Sequence, residues 1–228
     1  LHHRGYIPGD PLKHLDWKVF GRTERYYVKT FLEDSAMTLW TLLDVSGSMT
    51  ADAGVAYEGD REIELPTKFL VGARLAAALS CLVINQQDRA GLVLAGREPA
   101  LIRPASSQPH LTLMLHELAQ LEVRGEADPS EALQRVEEAA TGPGIVAFIT
   151  DLFYDAEPVQ ERIKHLRARG HDVILFQVVS PQEEDFPFNR WVEFDCAERA
   201  GVRHRLDATL LADVYRKEYA VFRESDRK

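Results

Sequence analysis

Leu39-Trp40-Thr41-Leu42-Leu43-Asp44-Val45-Ser46-Gly47-Ser48 decides the reading of this chain. The first five residues form an almost uninterrupted apolar run, short enough for a strand and suited to burial on both faces. The run stops at a carboxylate. Two hydroxyls follow, with Gly47 between them to permit a sharp turn.

Working outward, the same theme recurs. Thr67 to Gln86 carries helical periodicity through Phe69, Leu70, Ala73, Ala76, Ala77, Ser80 and Ile84, with Pro66 suited to the first turn. Ala90 to Ala95 reads as the next strand, and Ala100-Leu101-Ile102 as its antiparallel return. Leu111 to Leu121 and Pro129 to Ala140 read as helices, the second opened by Asp128 as N-cap and Pro129 at N1. Ile145 to Thr150 is a continuous apolar run that delivers Asp151. Glu157 to Arg169 reads as a helix stopped by Gly170, and Val173 to Val179 as a buried strand. Trp191 to Phe194 belongs to a less regular stretch, and a last helix runs from about Ala208 to Phe222.

Strands alternating with helices predict an α/β fold, a doubly wound and mostly parallel sheet with helices on both faces. Residues 1–35 do not follow the alternation and are expected to form an extension packed on a core of residues 36–228. Within the extension, Tyr26 to Phe31 reads as an extra strand, and Pro8-Gly9-Asp10 and Glu33-Asp34-Ser35 as turns. Asp16 beside Trp17 reads as a structural anchor in a packed segment whose basic residues face outward. Residues 51–64 read as an acidic solvated insertion next to the Asp44 loop.

Composition narrows the function classes. The 228 residues carry a formal net charge of -9, which argues against a nucleic-acid face. Of two cysteines, Cys81 lies in an apolar run and reads as a small buried hydrophobe. Nothing calls for an oxidising compartment, and the expected location is cytoplasmic. No apolar run reaches the roughly 18 residues a membrane span needs. The chain begins Leu1-His2-His3 without an initiator methionine, as a fragment would, so a membrane anchor could lie upstream. The histidines at 110, 116, 165, 171 and 204 show no metal-ligand spacing.

The chemistry gathers at strand ends, where open α/β sheets bind ligands. Asp44 and Asp151 each end a strand, and Ser46 and Ser48 follow Asp44 at alternate positions of a turn. One carboxylate and two hydroxyls aimed at a common point suit Mg²⁺, which takes oxygen donors and keeps several waters. The expected metal ligands are therefore Asp44, Ser46, Ser48 and Asp151, with Mg²⁺ or another divalent cation as the ion. The plainer reading is a capped turn, in which the same side chains bond the loop's own backbone.

Asp44-x-Ser46-x-Ser48-Met49 resembles the first loop of the metal-ion-dependent adhesion site of von Willebrand factor A domains. Thr150-Asp151 resembles that site's third loop. The second loop of such sites commonly reads Gly-Gly-Thr-Asp, and here it is Gly125-Glu126-Ala127-Asp128, with Ala127 where a threonine ligand is expected. Glu126, Asp128 and Ser130 are the candidates to replace it. Arg4-Gly5-Tyr6-Ile7-Pro8-Gly9-Asp10, Leu15-Asp16-Trp17-Lys18 and Tyr27-Val28-Lys29-Thr30-Phe31, with Lys68, Asp88-Arg89-Ala90-Gly91 and Gly170-His171-Asp172, resemble the signature of the prokaryotic domain-of-unknown-function 58 (DUF58) family.

The resemblance implies a non-enzymatic protein-binding module, partner to a MoxR-type AAA+ ATPase in chaperone-like maturation of a client complex. No catalytic residue is assigned. Two alternatives stand beside it: a metal-free scaffold with a degenerate site, and a metal-dependent phosphotransferase using Asp44 as nucleophile. The second is weakened because such enzymes want Asp-x-Asp, and position 46 is serine.

Overall fold

The structure is a computed structural model that describes residues 2–8, 15–30, 36–50, 55–58, 61–121, 123, 125–188, 190–199 and 201–225. The chain divides into two compact units, Leu1–Ala36 and Met37–Lys228.

In the first unit, β1 (His2–Gly5) pairs antiparallel with β2 (Tyr27–Thr30). Between them lies α1 (Trp17–Thr23), capped by Asp16, whose Oδ1 accepts from the Lys18 and Val19 amides. Asp16 is therefore the anchor its position suggested. Trp17, expected in packed structure, is 64% exposed. The turns expected at Pro8-Gly9-Asp10 and Glu33-Asp34-Ser35 lie, in part or wholly, outside the described residues.

The second unit is built on a five-stranded sheet. Its elements in chain order are β3 (Thr38–Asp44), β4 (Val55–Glu58), β5 (Arg61–Glu64), α2 (Lys68–Asn85), β6 (Arg89–Ala95), β7 (Ala100–Ala105), α3 (Gln108–Gln120) and α4 (Pro129–Ala139). There follow β8 (Ile145–Thr150), α5 (Ala156–Ala168), β9 (Asp172–Gln177), α6 (Pro181–Asp185), β10 (Trp191–Asp195), β11 (Arg203–Asp207) and α7 (Ala208–Ser225). The strand order is β7-β6-β3-β8-β9, parallel throughout except for β7.

The apolar runs have the period of two that a strand imposes. Leu39 and Leu43 of β3, with Ala147 and Ile149 of β8, pack with Ala73, Ala76 and Met114 of α2 and α3. Trp40 and Leu42, with Val146 and Phe148, pack with Leu133, Val136, Val159 and Leu166 of α4 and α5. Both faces are thus covered, which is why the run shows no polar alternation. A Cβ on Gly72 would lie 2.9 Å from the Leu43 side chain and 3.2 Å from that of Ile149, so the missing side chain lets α2 sit close to the sheet.

Several expectations need correction. Thr67 is the N-cap of α2 and accepts from Leu70 N, so Pro66 precedes the helix rather than opening it. By length and composition α2 is long and apolar enough to cross a membrane, with a mean hydropathy of 1.5. Arg74 breaks the run that the eye looks for, and the average hides the break. Val83 and Ile84 of this helix are buried against the sheet. Strand β9, expected to be buried, is a sheet edge, with Ile174 45% and Leu175 41% exposed. The stretch around Trp191 is not irregular, because β10 and β11 form an antiparallel hairpin. Within residues 51–64, β4 and β5 form another hairpin. Cys81 is half-buried, and Cys196 is exposed.

Candidate metal centre

Strand β3 connects through α2 to β6 on one side, and β8 connects through α5 to β9 on the other. The chain therefore turns away in opposite directions at the β3–β8 pair, opening a crevice beyond their carboxyl ends. The register pairs Leu43 with Ile149, so Asp44 and Thr150 emerge side by side, and Asp151 comes next. All three are buried, although two of them are carboxylates.

Asp44 is held by neutral donors. Its Oδ1 accepts from Ser46 N at 2.9 Å, and its Oδ2 accepts from Thr150 Oγ1 at 2.8 Å. Thr150 Oγ1 in turn accepts from Leu152 N at 3.0 Å. Burial raises the Asp44 pKa above the usual carboxylate range. The donors pull it down, and the charge of Asp151 pushes it further up.

The loop after Asp44 is a 3-10 turn, Gly47–Thr50, pinned by Met49 in the core and by Gly47 N donating to Gly125 O at 2.7 Å. This bond ties the first loop to the second. Ser46 Oγ and Ser48 Oγ lie 2.9 Å apart. That spacing makes a hydrogen bond. It also equals the cis edge of an octahedron, about 2.9 Å for ligands at roughly 2.0–2.1 Å from Mg²⁺.

Asp151 is held differently. Its Oδ2 accepts from Lys68 Nζ at 2.8 Å, and its Oδ1 accepts from Phe153 N at 3.2 Å. Lys68 is 2% exposed and donates also to Glu183 Oε1, while its ammonium lies 5.1 Å from the centre of the Phe153 ring. Glu183 belongs to α6 and closes that helix's capping box, its Oε2 accepting from Ser180 N at 3.0 Å. One buried lysine from the start of α2 thus joins the third loop to α6.

The second loop supplies no obvious oxygen. Ala127 lines the same cleft as Asp44 and Ser46. Of its possible replacements, Asp128 caps α4 through Ser130 N and Glu131 N, and Glu126 pairs with Arg199 at 2.9 Å. Among the described residues no three His, Cys, Asp or Glu side chains converge as a metal cluster.

Tested against Mg²⁺, the oxygen donors of the Asp44 loop fit a hard cation, since one anionic carboxylate and two hydroxyls leave the ion electrophilic. Asp151 fits less directly, because an ammonium already holds it. The four residues expected as ligands occupy one end of the sheet. The sequence reading missed the Lys68–Glu183 link, since the Ser-x-x-Glu pattern at Ser180 signals only the capping box that places Glu183. It also missed Glu198, which lines the cleft beside Asp44 and Ser46.

A family profile described as "Protein of unknown function DUF58" matches residues 2–228. An uncharacterized protein of Mycobacterium tuberculosis is 28% identical over 221 residues, covering 93% of this chain and 65% of that protein. An uncharacterized protein of Mycobacterium bovis matches to the same extent. The chain therefore spans less than two thirds of the length of these curated relatives. Among solved structures, an aerotolerance-related membrane protein from Bacteroides fragilis is 16% identical with a TM-score of 0.54, covering 80% of this chain and 87% of that one. The SpRpn10 VWA domain is 18% identical with a TM-score of 0.43, covering 64% of this chain and 77% of that one.

Proposed function

The chain belongs to the DUF58 family, with a von Willebrand factor A-like α/β core, and from that premise we propose that it is a non-enzymatic, cytoplasmic protein-binding module whose cation-dependent site receives a carboxylate from a protein partner. One observation carries the reading. At the β3–β8 switch point a buried carboxylate, Asp44, stands beside two hydroxyls set 2.9 Å apart, at the mouth of a cleft.

In this reading Asp44, Ser46 and Ser48 hold Mg²⁺, with Asp151 behind them. The ion supplies an electrophilic position that an acidic side chain can fill. The chain's own part is to present neutral hydroxyls, so that positive charge is left over, and to hold Asp44 by the Ser46 amide and the Thr150 hydroxyl. The phosphotransferase reading is disfavoured on the same geometry. Both Asp44 oxygens already accept hydrogen bonds, from Ser46 N and from Thr150 Oγ1, so neither is left free to attack a phosphoryl group. As partner we take a MoxR-type AAA+ ATPase acting in the maturation of a client complex, which is what the family resemblance supports.

A metal-free scaffold is the second reading. It is favoured by Ala127 in the cleft and by the ammonium of Lys68 on Asp151. A pull-down from the native host separates the two, using wild type and Asp44→Ala, each with Mg²⁺ and with EDTA. The cation-dependent reading expects an AAA+ ATPase to be retained by wild type in Mg²⁺ alone. Equal capture by both proteins under both conditions sinks it in favour of the scaffold.

A further inference from the structure

The hairpin β10–β11 reaches over the candidate centre with its tip. The Ala197 carbonyl lies so close to Gly47 that a Cβ there would sit 2.1 Å from its oxygen and 2.6 Å from its carbon. Arg199 Nε donates to Glu126 Oε1 at 2.9 Å, so the tip is also tied to the second loop. Residues 197–199 thus bridge the two loops that flank Asp44.

Between those two ties stands Glu198. It lines the cleft containing Asp44, Ser46 and Ala127 and also the adjoining cleft containing Ser48, Phe153 and Glu183. Among the described residues its carboxylate has no hydrogen-bond or ion-pair partner. Partial burial and the charges of Asp151, Glu126 and Asp44 raise its pKa, and the neighbouring Arg199 guanidinium opposes them. Placed in one cleft with Asp44 and Glu126 and only partly offset by Arg199, this carboxylate meets a repulsion that a divalent cation would turn into attraction.

We infer that Glu198 is the protein's own carboxylate for the cation at Asp44, Ser46 and Ser48, occupying in cis the place that a partner's acidic loop takes in trans. This rests on the cation-dependent reading above. It deepens that reading in two ways. The partner is a loop that presents a Glu or Asp at its tip, and the hairpin competes with it for the ion. Gly47 is the residue that lets the competitor lie down, because any side chain there would lift Ala197.

The test uses Mn²⁺ as the probe ion, with free Mn²⁺ read by electron paramagnetic resonance. The full chain is compared as wild type, Glu198→Gln, Glu198→Asp and Asp44→Asn. A fluorescent acetyl-Ala-Glu-Arg-amide peptide, added with Mn²⁺, reports capture of an external carboxylate. Since ligand charge tunes cation affinity, Glu198→Gln is expected to weaken Mn²⁺ binding by about tenfold and to strengthen peptide capture by a similar factor. Glu198→Asp keeps the charge and shortens the reach, so a ligating role predicts weakened Mn²⁺ binding there too. If Glu198→Asp behaves as wild type, the residue acts only as a distant charge and the inference is overturned. If Glu198→Gln binds Mn²⁺ as wild type does while Asp44→Asn loses it, the cis ligand falls and the cation site stands. If no protein binds Mn²⁺, both fall together.

Discussion

Asp44 and Asp151 stand at the ends of neighbouring parallel strands, both buried, yet opposite kinds of group satisfy them. Asp44 has a backbone amide and a threonine hydroxyl. Asp151 has an ammonium, shared with Glu183. Neutral donors stabilise a carboxylate without cancelling its charge, whereas an ion pair cancels it. The difference teaches where the site keeps its unspent negative charge. That charge is at Asp44, next to Ser46 and Ser48, where the proposed cation would meet it.

The sharpest way to break the comparison is Lys68→Met. It strands the carboxylates of Asp151 and Glu183 in a buried setting, and loss of one partner of a buried pair costs about 3–5 kcal/mol. Urea unfolding near neutral pH should show a loss of that size. A loss below about 1 kcal/mol, the range of exposed pairs, would mean that the ammonium is not the counter-charge argued here.

Thr150→Val probes the other end. The buried hydroxyl donates to Asp44 and accepts from Leu152 N, and an isosteric methyl does neither. Leaving buried groups unsatisfied costs about 1–3 kcal/mol. The same unfolding experiment should therefore rank this variant below Lys68→Met, and a reversed ranking would invert the comparison.

The smallest effect is a pH dependence. The pKa of Asp44 is raised from 3.8 in the folded protein, so the fold binds this proton more tightly than the unfolded chain does. Its contribution to stability is full below the unfolded value and is lost as pH climbs through the raised folded value. Asp44→Asn should remove that decline, seen as the difference between the two proteins' stability curves across that window. Saturating Mg²⁺ should offset the decline in wild type alone, because the ion favours the charged form. Parallel curves for the two proteins would show that Asp44 titrates no differently on folding.

The sheet was legible because β3, β6 and β8 are covered on both faces and therefore read as solid apolar runs. Asp44 and Asp151 were legible for the same reason, each being the first carboxylate after such a run. The hairpin β10–β11 was not. In Trp191–Asp195 only Val192 and Phe194 turn inward between exposed residues, and Arg203–Asp207 is charged and almost wholly exposed, so the alternation is too short and one-sided to read as a hairpin. Strand β9 misled in the opposite direction, since an apolar edge strand and an apolar central strand look alike one segment at a time. The Lys68 contacts lay out of reach because they join residues 83 and 115 positions apart. The same is true of Glu198, whose place over Gly47 depends on where a hairpin tip comes to rest.

The lysine under Asp151 also bears on the order of events during synthesis. Metal-built domains stay unfolded until their ion arrives, because the ligands have no other way to be satisfied. Here Lys68 supplies Asp151 with its counter-charge from within the chain, and Asp44 already has its donors. On the proposed cation-dependent reading, the polypeptide can therefore finish folding in an ion-free state and meet the ion afterwards. In that reading the ion is a reversible messenger, not scaffolding, and chelation is expected to silence the protein while leaving it folded.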